Sequence, residues 1–121
     1  MRSNLLSWQW EAYPVAHRDR RNLVLHLATA PVFIAGVAAV LGGIAVGWWL
    51  PVAGLGAMVL ALAVQGRGHG REASPPIPFT GPGDLITRFF AEQLVNFPRF
   101  VVSGGWARAW RAAGEARDRA G

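Results

Sequence analysis

From Asn22 to Gly66 the chain carries no aspartate, glutamate, lysine or arginine, and His26 is the only titratable side chain in the run. Few folds are open to such a stretch. Leu23 to Leu50 exceeds the roughly 20 residues a helix needs to cross a bilayer, and Pro51 to Val64, extended back over Trp48 and Trp49, approaches that length. Between them "GWWLP" at 47–51 supplies a helix-ending glycine, two tryptophans suited to a membrane interface and a proline able to open a helix. The run therefore predicts an antiparallel apolar helical hairpin over 19–65. A soluble bundle burying both helices on every face would need more covering chain than 121 residues provide.

Arg18, Arg20 and Arg21 flank one free end of the hairpin and Arg67 and Arg71 the other, while the turn is uncharged. Counting positive charge at the span ends places both ends in the cytoplasm, here of a bacterial inner membrane. The apolar segment starts too late and runs too long for a cleaved signal peptide, and no small-residue cleavage site follows it, so an anchor is expected.

With 52% apolar and 16% charged residues the chain is a single ordered domain. The absence of cysteine excludes disulfides, thiolate zinc sites, iron–sulfur clusters and cysteine nucleophiles, leaving imidazole and carboxylate as metal donors. The net charge of +5 comes from 12 arginines dispersed over both ends, which argues against nucleic acid as a partner and suits a lipid bilayer with an anionic surface.

The flanks read as helical too, so the predicted class is all-α: a membrane-embedded hairpin with amphipathic and interfacial helices. Residues 1–16 form an amphipathic segment, "SNLLSWQWEAYP" being a short helix that Pro14 ends. Residues 66–83 are a Gly/Pro-rich loop. Within 84–113, Asp84 is a candidate N-cap; Leu85, Ile86, Phe89, Phe90, Leu94 and Phe97 share one helical face, with Arg88, Glu92 and Asn96 elsewhere. Pro98 stops or kinks this helix, and Phe100 to Arg111, with Trp106 and Trp110 beside Arg108 and Arg111, suits an interfacial helix. The tail 114–121 is polar and expected to fray.

All three histidines, His17, His26 and His69, lie at or near the arginine-flanked mouth of the hairpin. Antiparallel packing returns His26 and His69 to one membrane level. If Asp19 caps the first long helix, His17 sits on the preceding loop and is free to fold over the mouth, with Asn22 and His26 on one helix face. Glu72 follows His69 by three residues, although Gly66, Gly68 and Gly70 predict an irregular backbone there instead of a helix. Gln65 marks where polar lining begins. Imidazoles, one carboxylate and open positions suit a non-haem Fe(II) oxygenase, and zinc accepts the same donors. "GRGHG" lacks the strand and the Gly-Lys-Ser/Thr of a phosphate loop, and Ser103 lacks a nucleophile elbow.

Taken together, "AHRDRRNLVLHLATAPVF" at 16–33, the apolar hairpin and "QGRGHGREASPP" at 65–76 resemble the 2-hydroxy-fatty-acid dioxygenases, small membrane proteins first catalogued as a domain of unknown function. The resemblance spans about residues 13–106; the glutamate follows the histidine by three residues where the eukaryotic pattern has four. It implies an Fe(II)- and O2-dependent enzyme that removes one carbon from a 2-hydroxy fatty acid by α-oxidation. The matching positions are His17, His26 and His69 as catalytic metal ligands, with Glu72 as a ligand or an orienting partner and Asn22 and Gln65 as supporting polar residues. Arg18, Arg20, Arg21, Arg67 and Arg71 are candidates for the substrate carboxylate. The competing readings are a non-catalytic lipid-binding hairpin, which needs no metal, and a zinc hydrolase with Glu72 as general base, which needs no O2.

Overall fold

A computed structural model describes residues 4–74 and 77–120, and among these there is no strand. Six α-helices follow one another: α1 (Leu5–Ala12), α2 (Arg20–Gly42), α3 (Trp49–His69), α4 (Pro82–Ala91), α5 (Phe97–Val102) and α6 (Gly105–Ala120). A 3-10 turn, Gly43–Ala45, follows α2, and a π-helical turn, Glu92–Asn96, joins α4 to α5.

Helices α2 and α3 form the hairpin, and both are long and apolar enough to cross a membrane. Asp19 caps α2, its carboxylate accepting from the Arg21 and Asn22 amides at 2.9 and 3.1 Å. Pro31 lies inside α2 without ending it. The two helices cross at Gly36 and Gly54, where a Cβ on either would come within 2.6 Å of the other's carbonyl oxygen. Only glycine lets the backbones approach so closely.

An apolar core that includes Leu23, Phe33, Phe97 and Phe100 is buried, but part of the burial is inverted. Gln9, Gln65, Gln93 and Asn96 are buried, whereas Leu41, Ile44, Val52, Val59 and Leu60 are exposed, and Trp48 at the hairpin turn is 80% exposed. The same inversion governs the amphipathic segment after residue 81. Ile86, Phe90 and Leu94 face outward, and Arg88, Gln93 and Asn96 point into the protein. Buried amide groups without partners would cost on the order of 1–3 kcal/mol each, and all but Asn96 Oδ1 among these four side chains are paired. Gln65 and Gln93 exchange two hydrogen bonds at 3.0 and 2.6 Å, and the Asn96 amide donates to Gln9 Oε1 at 2.7 Å.

Three expectations need correction. Helix α3 runs on through Gly66 and Gly68 to His69, so the predicted loop at 66–83 begins later; at Gly68 a side chain would collide with that of Asn22, so the glycine lets α2 and α3 approach there. Asp84 is not the cap of α4: Gly81 is, with Pro82 opening the helix, and Asp84 sits in the first turn paired with Arg88 at 3.3 Å. The polar tail is helical to Ala120, as the end of α6. Trp106 and Trp110 are partly buried, packing on the Tyr13, Leu23 and Phe100 core, and Trp106 Nε1 donates to the Leu23 carbonyl at 3.0 Å. Pro98 stands in the first turn of α5, just after the π turn.

Candidate metal centre

His26 lies on α2 one turn after Asn22, His69 ends α3, and His17 sits on the short segment between α1 and the Asp19 cap. The hairpin and that segment bring the three rings together, with centroids 4.8, 4.8 and 4.9 Å apart and every pair near perpendicular. Perpendicular rings with close centroids direct their nitrogens toward a common point instead of stacking. The fourth member of the group is Glu92, at the start of the π turn; one donor atom from each of these four residues lies within 4.8 Å of the others.

The hydrogen bonds on the far side of two rings define the tautomer. His17 Nδ1–H donates to the Tyr13 carbonyl at 2.8 Å and His26 Nδ1–H to the Asn22 carbonyl at 3.0 Å; a carbonyl only accepts, so the proton is on Nδ1. In the neutral ring Nε2 then carries a lone pair. Both Nε2 atoms are buried without a hydrogen-bond partner, as is His69 Nδ1. The Glu92 Oε1 atom lies 3.1 Å from His26 Nε2 and 3.7 Å from His17 Nε2. Lone pairs facing a carboxylate oxygen at this distance repel unless a proton on Nε2 or a bound cation lies between them. Anchoring through Nδ1 with Nε2 free is also how metal-binding imidazoles are oriented. Donors about 2.1 Å from one ion are at most about 4.2 Å apart, so the widest pair must close by about 0.6 Å, within reach of small ring rotations.

Tyr13 completes the surroundings. Its ring stacks on His17 with centroids 3.9 Å apart, and its hydroxyl donates to Glu92 Oε1 at 3.1 Å. Burial, and then the Glu92 charge, pushes the Tyr13 phenol well above its ordinary range. Burial alone would raise the Glu92 carboxyl too; with a proton on Nε2, His17 and His26 donate to it as cations and hold it well below the usual carboxylate range, a part that a bound cation would take over from those protons.

Glu72 is not among the grouped donors, and of the two roles expected for it, ligand and orienting partner, its contacts match the second. Beyond the end of α3 the chain folds back, and the Glu72 carboxylate accepts from the Arg18 amide at 2.6 Å, the Asp19 amide at 2.8 Å and Asn22 Nδ2 at 3.0 Å. It ties down the segment that carries His17. Asn22 supports the site twice, through this bond and through its carbonyl to His26. Gln65, one turn before His69, reaches Gln93 beside Glu92 and so couples α3 to the π turn. Of the five arginines considered for a substrate carboxylate, Arg20 donates twice to the Trp110 carbonyl at 3.1 and 2.9 Å, and Arg18, Arg21, Arg67 and Arg71 are exposed.

These contacts set an expectation for Glu72→Ala. Helical content should be unchanged, and affinity for Fe(II) or Co(II) should fall roughly 10–100-fold, the usual cost of losing a partner that orients a ligand. Metal titration against circular dichroism checks it. A folded variant with no metal affinity at all would make Glu72 a ligand.

A cavity of about 390 Å³ opens from the site between α1, α3 and α4. His17, His69, Glu92 and Gln65 contribute its polar wall, and Trp8, Val15, Leu62, Ile77, Phe79 and Phe89 its apolar walls. An apolar chamber ending in a few convergent polar groups is the usual form of a small-molecule site.

Glu92 is the member that the sequence reading missed. Its signal was the polar stripe of Arg88, Glu92 and Asn96 at four-residue spacing, which becomes an inward face once the apolar face is turned outward. No family model, no curated protein and no solved structure matches the chain.

Proposed function

We propose that this protein is a membrane-embedded Fe(II)-dependent dioxygenase that shortens 2-hydroxy fatty acids by one carbon. The observation that carries the reading is the set of three buried, unpartnered imidazole nitrogens grouped with one carboxylate at the end of an apolar cavity. Their tautomers and orphaned lone pairs fit a bound divalent cation, with His17, His26, His69 and Glu92 as the residues that would hold it. The membrane part of the reading rests on α2 and α3, with their exposed apolar faces and the arginines at their shared mouth.

Bound Fe(II) would supply the redox chemistry that lets O2 react with an organic acid. The overall balance closes without an external reductant: a 2-hydroxy acid and O2 give the acid one carbon shorter, CO2 and water. His17, His69 and Glu92 line the cavity, so the hydroxyl end of a 2-hydroxy acid would lie against the residues that would hold the ion. Glu92 would help hold the ion and, standing on the cavity wall, would accept the proton of a substrate hydroxyl. Tyr13 holds the carboxylate in position for this through its hydrogen bond to Oε1. The apolar walls receive the alkyl chain and keep water away from the reacting carbon.

The test is metal analysis of anaerobically purified protein, followed by O2 uptake and product analysis with 2-hydroxyhexadecanoate and hexadecanoate. Bound iron near one per chain, O2 uptake with the hydroxy acid alone and a fifteen-carbon product support the reading. Bound zinc with O2-independent turnover would replace it by a hydrolase, and a metal-free protein would leave a lipid-binding hairpin.

A further inference from the structure

We propose that Arg88, rather than any arginine at the hairpin mouth, is the residue that recognises the carboxylate of an acyl ligand in the cavity beside the histidines; this rests on the cavity being an amphiphile site. Arg88 is the only arginine among the described residues on that cavity's wall. It sits on α4 one turn before Glu92, which puts the two side chains' Cβ atoms about 5–6 Å apart. The guanidinium itself reaches back toward Asp84, Ile77 and Pro78, so it would meet an acyl carboxylate on the cavity wall adjoining the histidines and not at the ion position.

The surroundings suit recognition. Arg88 is 7% exposed, and its guanidinium packs over the rings of Phe79 and Trp8 at 4.3 and 5.1 Å. In so apolar a setting a charge-assisted hydrogen bond is stronger than at a wet surface. Nη1 donates to the Pro78 carbonyl and to Asp84 Oδ2, each at 3.3 Å, and Nη2 to the Ile77 carbonyl at 2.8 Å. Those bonds occupy three of the five N–H donors and fix the plane of the group, leaving Nε–H and one Nη2–H for a carboxylate. Asp84 offsets the positive charge, so it weakens the anchor while holding its geometry.

The charge balance gives the proposal a signature that a purely structural Arg88 lacks. In detergent-solubilised, metal-free protein, a fluorescent fatty acid is displaced by hexadecanoate or by hexadecan-1-ol, and the ratio of their affinities is measured. Wild type should prefer the acid by on the order of 10–100-fold, the range for a hydrogen bond to a charged group. Arg88→Met should bring the ratio near one, Arg20→Met should leave it alone, and Asp84→Asn should raise it several-fold. A residue that only braces the 77–79 segment predicts the same direction for Arg88→Met and Asp84→Asn. The proposal is overturned if Arg88→Met keeps the acid preference, or if Asp84→Asn fails to increase it; the second arm decides the matter even where Arg88→Met does not fold. Because no metal or turnover enters the measurement, lost acid preference and lost dioxygenase activity are separable results.

Discussion

Replacing His26 with alanine is expected to abolish both bound iron and O2-dependent shortening of a 2-hydroxy fatty acid while leaving the helices in place. His26 is fully buried on α2, where the Asn22 carbonyl holds its Nδ1 proton and its Nε2 lies nearest Glu92. Removing one of three imidazoles takes away a donor itself, so the loss should exceed the roughly 10–100-fold that follows removal of an orienting partner. The fold should survive because α2 and α3 meet along their whole length, including the close crossing at Gly36 and Gly54. Glu92→Gln should be milder toward iron and severe toward turnover, since the amide can still donate an oxygen but cannot take a proton. Iron content, far-ultraviolet circular dichroism and product chain length on the same preparations check both variants. Persistent shortening by the His26 variant would end the metal-centre reading.

The second large effect concerns the environment of α3. Val59 lies near its middle and is 66% exposed. In water an arginine at such a position changes stability by no more than about 0.5 kcal/mol, whereas at the centre of a membrane helix it costs about 2.5–3.5 kcal/mol. Val59→Arg should therefore reduce insertion and yield sharply, with wild type pelleting with membranes after detergent-free lysis. Wild type in the supernatant, with Val59→Arg equally well folded, would show that the exposed apolar faces meet something other than lipid.

The uncharged run from Asn22 to Gly66 determined the hairpin without help from tertiary structure, because an unbroken apolar stretch is compatible with little besides helices that hide or immerse their whole surface. Two-way traversal then had to return His69 to the level of His26, and the Asp19 cap released His17 from α2, so the meeting of the three histidines was legible from spacing alone. The carboxylate was not. Glu72 is three residues from His69 in sequence, but α3 ends at His69, and the chain beyond it turns back to satisfy the Arg18 and Asp19 amides. Glu92 is 23 residues farther along than His69, on a helix whose pattern reveals two faces but not which one points inward. That sign depends on the medium. Ile86, Phe90 and Leu94 face out and the polar stripe carries Glu92 to the histidines, with the π turn at Glu92–Asn96 as the local register change. Periodicity encodes the faces of a helix; only its packing against the hairpin decides which face meets the site.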